Sequence, residues 1–343
     1  MTDFGIKLQQ WYQVNKRALP WRSTNDPYKI WLSEIIMQQT QVVQGERYYL
    51  SFINNFKTVS DLAKASEDQV LKLWQGLGYY SRARNLYATA NFIHEELNGV
   101  FPDTYHDLLK LKGVGVYTAS AIASFCYNLP NAVVDGNVYR FISRYKGVYT
   151  PIDSTEGKKE FALLADALLD RHNPGLHNQA MMEIGALVCR PSNPVCAECP
   201  FINDCYAYAK NDVSSLPVKS KKVKQRSRYF NYFLFVKDEE VWIEKRTEQD
   251  IWKNLYQLPL LETKQPLSKE EIKKYQKNKI ELFQSCTHVL SHQLINARFF
   301  IGGSGSHILN GNEQKVKISD LKNYPFPQLL VNFLKEKIPD WED

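Results

Sequence analysis

The sequence predicts a multidomain protein: an all-α domain followed by a smaller α+β domain. Three observations predict it. Residues up to about 210 carry helical periodicity and helix caps but no strand signal. Period-two alternation begins at Tyr229. Between them lies a stretch dense in Lys and Arg. A chain of 343 residues has room for two domains of ordinary size. We place the first at 1–215, a basic linker at 216–228 and the second at 229–343.

The elements follow in chain order. An amphipathic helix covers Ile6 to Val14, and Leu19-Pro20-Trp21-Arg22 forms a loop. Asp26-Pro27 opens a helix over Tyr28 to Gln44, Pro being suited to a first turn. Further helices are expected over Val59–Ala65, Glu67–Trp74 (Ser66 its N-cap), Ser81–Glu96, Thr104–Leu109, Thr118–Phe125, Asn137–Tyr145, Lys158–Leu169 and His177–Cys189. Lys219, Lys221, Lys222, Lys224, Arg226 and Arg228 make a solvated linker, or one that also lies along a phosphate backbone. Beyond it, 229–236 and 241–246 read as a hairpin around Asp238-Glu239-Glu240, with another strand at 295–301 and helices at 268–277 and 326–337.

Composition narrows the class. A hydrophobic content of 44% is ample for packed cores and argues against disorder. No apolar window of about 18 residues exists, and the N-terminus lacks the pattern of a signal peptide. The expected location is cytoplasmic, nucleoid-associated in a bacterium, with no membrane partner. A net charge of +6 is compatible with a polyanionic partner. Cys126 and Cys286 stand alone among apolar neighbours and are expected in the core.

Four motifs carry candidate chemistry. Cys189, Cys196, Cys199 and Cys205 have the pattern C-x6-C-x2-C-x5-C, which in a reducing compartment reads as a metal site; four thiolates suit tetrahedral zinc or a [4Fe–4S] cluster. Leu111-Lys112-Gly113-Val114-Gly115 joins two helices, either as a plain corner or as a phosphate site built from amides at a helix N-terminus. Glu34 has apolar helical neighbours at Ile30, Trp31 and Met37. It is either an acid made proton-retaining by desolvation or an edge-of-core Glu paired with a basic side chain. Asp135, in Val133-Val134-Asp135-Gly136-Asn137, is either a helix cap or a carboxylate that offsets a developing cation.

Together these motifs resemble the endonuclease III superfamily of DNA glycosylases over roughly residues 10–210. Residues 106–125 look like its helix-hairpin-helix, Asp135 falls at its active-site Asp, and 189–205 matches its [4Fe–4S] loop. Within the superfamily, Trp31-Leu32-Ser33-Glu34 with Gln38-Gln39-Thr40-Gln41 resembles the MutY family of adenine glycosylases. That resemblance implies a monomer acting on double-stranded DNA with 8-oxoguanine:adenine or guanine:adenine mispairs, with base flipping and release of adenine. It implies Glu34 as the acid and Asp135 as the cation stabiliser, with Tyr117 and Asn137 beside them. Among DNA contacts it implies Gln39 and Tyr79 as wedges, with Thr40, Arg22, Lys112, Gly113 and Gly115. Tyr117 stands where the lyase-type enzymes carry a nucleophilic Lys, and a Tyr cannot form their Schiff base. The second domain resembles a Nudix fold, with Ile251–Pro259 at its Gly-Leu-Trp-x-x-Pro stretch. It lacks the Arg-Glu-x-x-x-Glu-Glu run of a hydrolase. His288-Val289-Leu290-Ser291-His292 looks like the loop that contacts 8-oxoguanine, with Leu290 at the usual Phe and Ser291 and His292 retained. The rival expectations are an oxidised-pyrimidine glycosylase/lyase and a non-catalytic iron–sulfur DNA-binding protein.

Overall fold

The computed structural model describes residues 2–220, 225–277, 279–302, 311–338 and 341. Its helices are α1 Asp3–Asn15, α2 Pro27–Met37, α3 Val42–Asn55, α4 Val59–Lys64, α5 Glu67–Leu73, α6 Ser81–Glu96, α7 Tyr105–Leu108, α8 Val116–Tyr127, α9 Gly136–Lys146, α10 Thr155–Leu168, α11 Pro174–Leu187, α12 Tyr206–Ala209, α13 Lys269–Lys277 and α14 Gln328–Lys337. The strands are β1 Arg226–Lys237, β2 Glu240–Lys245, β3 Tyr256–Gln257, β4 Leu260–Thr263, β5 Ile280–Val289, β6 Gln293–Gly302 and β7 Gln314–Lys317. By its contacts the chain forms two compact units, Met1–Lys64 with Ala88–Lys221, and Ala65–Tyr87 with Lys222–Asp343. The segment Ala65–Tyr87 thus groups with the C-terminal residues, which chain order does not reveal.

In the first unit, α2 is buried from Ile30 to Ile36 and packs on α3 and α8. A helix covered all round is a central helix. The expected single helix over 28–44 is two. Gln39 adopts φ +54°, which ends α2, and the chain restarts at Val42. Around Tyr12 of α1, Phe141 of α9, Phe161 of α10 and Ile184 of α11 lies a second apolar cluster. Thr104 caps α7, and the turn to α8 passes through Gly113 at φ +79°, a conformation glycine adopts without steric cost. Ala119, Ala121 and Ala123 are fully buried, as close packing of α8 requires.

The expected solvated linker over 216–228 does not hold at its end: Arg226 to Arg228 already belong to β1 and Arg228 is buried, while the stretch before it is partly tied down. The Ile152 amide donates to the Val218 carbonyl, and the Ser220 amide and hydroxyl both donate to Asp153. Lys221, Lys222 and Lys224 lie outside the described residues.

The second unit is built on a mixed sheet of order β3-β2-β1-β6-β5, in which β1 runs parallel to β6 and antiparallel to β2 and β4. The two residues joining β1 to β2, Asp238 and Glu239, have φ of +54° and +61°, the signature of a tight hairpin turn. The alternation expected along 229–236 is not a buried–exposed one. Phe230 to Phe235 are all buried, because aromatic groups cover both faces of this central strand. Phe233 stacks on Phe300, and Tyr232 stacks on Phe299, which in turn stacks on Phe333 of α14. Cys126 and Cys286, expected in the core, are only half-buried.

Candidate active site

Glu34 sits near the C-terminal end of α2 and is 6% exposed. Its one described hydrogen bond comes from Tyr117 in the first turn of α8, whose hydroxyl donates to Oε2 at 2.6 Å. Burial raises its pKa to about 7; the Tyr117 bond and Arg22 oppose that rise, while the charge of Asp135 adds to it. The carboxyl therefore holds a proton near neutrality. Gln38 Nε2 bonds Thr118 Oγ1 at 3.4 Å, a second tie between the end of α2 and the start of α8.

Asp135 is the N-cap of α9 and accepts from the amides of Asn137 and Val138 at 2.9 and 2.8 Å. Its other oxygen accepts from Asn137 Nδ2 at 2.7 Å. The two expectations for Asp135, cap and charged group, are thus compatible in one side chain. Burial raises its pKa against these three bonds. Asn137 is itself held by Arg140, which donates to Asn137 Oδ1 and to the carbonyls of Gly185 and Cys189. Gly185 allows α11 to reach this corner: a Cβ there would meet Asn137 Cβ at 2.6 Å and its carbonyl oxygen at 2.7 Å.

Arg22 donates to both oxygens of Glu183 at 2.8 and 2.7 Å, and Arg17 adds its amide, Nε and Nη2. Glu183 is fully buried, yet these donors outweigh desolvation and pull its pKa down to about 2. Arg22, expected as a DNA contact, is committed to this ion pair.

Two predicted clusters of contact residues stand at the surface of the first unit. Gln39 is exposed and Thr40 half-buried in the turn between α2 and α3, and Lys112, Gly113 and Gly115 are exposed in the hairpin. Gly115 caps α8 without a side-chain bond, so the first-turn amides are available to an anion. In the second unit Tyr79 meets Ser291, hydroxyl to hydroxyl, across 212 positions of sequence. Both line a cleft of about 520 Å³ together with Trp252, Leu290 and His292. Tyr79 has φ +48°, an uncommon conformation for a bulky side chain, kept in place by the Trp74 indole donating to the Gly78 carbonyl and by Arg82 over the Tyr79 ring.

The four clustered cysteines line one cavity, walled by Phe141, Tyr145, Val188 and Phe201. Arg144 Nη1 lies 3.5 Å from Cys189 Sγ, and burial pushes the Cys199 thiol up to about 11. Four soft donors around one cavity fit a group held by thiolates. Among the described residues no set of three or more Cys, His, Asp or Glu is placed to hold a single metal ion.

Residues 32–165 match the HhH-GPD superfamily of base excision DNA repair proteins, and residues 231–336 match the NUDIX domain. An adenine DNA glycosylase of Buchnera aphidicola (subsp. Schizaphis graminum) is 38% identical over 312 residues, covering 87% of this chain and 88% of that protein. This chain belongs to the adenine DNA glycosylase family. The adenine DNA glycosylase of Homo sapiens is 42% identical over 216 residues, covering 60% of this chain and 40% of its own. A thermostable thymine-DNA glycosylase superposes with a TM-score of 0.56 at 28% identity, covering 60% of this chain and 95% of its own. An endonuclease III in a DNA complex, 20% identical with a TM-score of 0.51, shares the fold, covering 62% of this chain and 98% of its own.

As a member of that family the protein is a DNA repair glycosylase with DNA as its substrate. Among the described residues no helix is long and apolar enough to cross a membrane. Two participants of this glycosylase's site escape a motif search, Glu183 and Arg17. Glu183 carried only part of the signal that marked Glu34: Ala180 and Ala186 face it at i−3 and i+3, but the polar Gln179 stands at i−4. Arg17 has no such signal. Its partner is 166 positions away.

Proposed function

We propose that this glycosylase removes adenine paired with 8-oxoguanine or guanine, without a lyase step. The observation that carries the reading is the buried Glu34, bonded by Tyr117 and holding a proton near pH 7. Adenine cannot be reached inside the stack, so it is turned out of the duplex. Tyr117 donates to Oε2 of Glu34, which leaves the carboxyl proton on Oε1 free to pass to adenine N7. The C1′–N9 electron pair then departs with the neutral base. Asp135, held in position by three donors, offsets the cationic sugar, and Asn137 keeps it in place. Water adds to C1′ and loses a proton, giving an abasic site. A phenol at position 117 offers no amine for a Schiff base.

The surface residues fit supporting roles. Lys112, Gly113 and Gly115 present amides to phosphate, Gln39 and Tyr79 wedge the stack, and Ser291 and His292 read the base opposite adenine. Cys189, Cys196, Cys199 and Cys205 hold a [4Fe–4S] cluster, as the resemblance implies. Such a group supplies structural order to the 189–205 loop when bound, and the chemistry above needs no redox step. We read the enzyme as a monomer.

The test is a duplex with one adenine opposite 8-oxoguanine, labelled on the adenine strand. Strand breaks only after hot alkali are expected, and breaks without alkali would contradict the absence of a lyase step. Glu34→Gln should still bind the duplex and lose about 10²- to 10⁴-fold in excision rate. A variant with near-normal turnover would remove Glu34 from the acid role.

A further inference from the structure

The loop read above as contacting the base opposite adenine is three residues long, Leu290-Ser291-His292, between β5 and β6. A hairpin tip of this kind is ordinarily among the most mobile parts of a domain. Here its main chain is tied from outside the hairpin. Gln225 Nε2 donates to the Leu290 carbonyl at 2.9 Å, and the Arg226 amide donates to the His292 carbonyl at 3.0 Å. The Leu290 amide closes the tip by donating to the Gln293 carbonyl at 2.8 Å. Just below it Arg228 Nη1 donates to Gln293 Oε1 at 3.1 Å.

Arg228 is a rigid anchor. It is 6% exposed, and its guanidinium makes paired bonds of 2.6–2.8 Å to the carboxylates of Asp250 and Glu262. Asp250 is held in turn by Arg246, the residue after β2, at 2.9 Å. A planar fork fixed by two carboxylates has little freedom to swing, so its bond to Gln293 locates the base of the loop. The Leu290 and His292 carbonyls are occupied, while the side chains of Ser291 and His292 remain exposed.

We infer that Gln225, Arg228 and Gln293 form a clasp that positions Ser291 and His292 and thereby sets the preference for the base opposite adenine. The inference rests on the loop reading in the proposed function. These residues act through the loop and need not touch DNA.

The test compares single-turnover excision from adenine:8-oxoguanine and adenine:guanine duplexes for the full chain and for Gln293→Met, Gln225→Ala and Ser291→Ala. Arg228 is left intact, since removing it would strand two carboxylates and put folding at risk. Each Gln variant should lower the 8-oxoguanine-to-guanine rate ratio by about three- to tenfold, the loss of one positioning hydrogen bond. The loss should fall mainly on the 8-oxoguanine duplex. Equal slowing of both duplexes would mean general loosening of the domain and would overturn the clasp. So would a lowered ratio in Ser291→Ala with unchanged ratios in both Gln variants, with the loop reading intact. An unchanged ratio in Ser291→Ala would sink the loop reading itself and the clasp with it.

Discussion

Glu34 and Glu183 are both helical carboxylates with exposures of 6% and 0%, yet one holds its proton to about pH 7 and the other releases it near 2. Burial pushes both upward. The difference is in donors. Glu183 receives five hydrogen bonds from Arg17 and Arg22, two full positive charges, whereas Glu34 receives one from a neutral phenol. Desolvation alone makes an acid, and desolvation with enough charged donors makes a structural anion.

The comparison can be broken at several points, the largest effect first. Glu183→Leu leaves Arg17 and Arg22 without their counter-charge and should destabilise the protein by about 3–5 kcal/mol in urea denaturation. A cost under about 1 kcal/mol would mean the pair is not the anchor described. In the native protein, the Glu183 contribution is complete above about pH 4.5 and is lost as pH falls towards about 2. Gly185→Ala places a methyl against Asn137 and should displace the cap that fixes Asp135. Misplacement on that scale costs about 10²-fold in rate. An unimpaired rate would show that the corner yields without consequence.

Glu34 should cost stability where Glu183 adds it. Its folded-state proton affinity exceeds that of the unfolded chain. Its contribution is therefore complete below about pH 4.5 and is lost as pH rises through about 7. Glu34→Gln should accordingly be more stable than the native protein by about 2–3 kcal/mol at pH 8 and by little at pH 4. Equal stabilities at pH 8 would refute the raised affinity. Smallest of all, Tyr117→Phe removes the one donor to Glu34 and should move the alkaline fall of the excision rate upward by about one pH unit. A downward shift would contradict the bond's direction.

Much of the site was legible in sequence because its residues sit beside strong local signals. Glu34 lies among apolar helical neighbours, Asp135 precedes a Gly-Asn cap, and the four cysteines cluster. Gly113 falls where the turn needs a positive φ. What was missed depends on partners far away in the chain. Glu183 gains its meaning from Arg17 and Arg22, more than 160 positions back. Nothing local couples Tyr79 to Ser291. Strand β5 escaped notice because its inward positions include Gln284, Cys286 and His288, which blur the alternation. The break at Gln39 was missed because a left-handed Gln has no local marker.

The contrast between the two carboxylates is most directly tested by ¹³C NMR titration of protein labelled at the Glu side-chain carboxyl carbon, with Glu34→Gln and Glu183→Gln as assignment standards. The Glu34 resonance should inflect near pH 7, while that of Glu183 should show no inflection from pH 8 down to about 4. Inflection of both near 4.5, the ordinary value, would contradict the claim that the number and charge of donors divide an acid from an anchor.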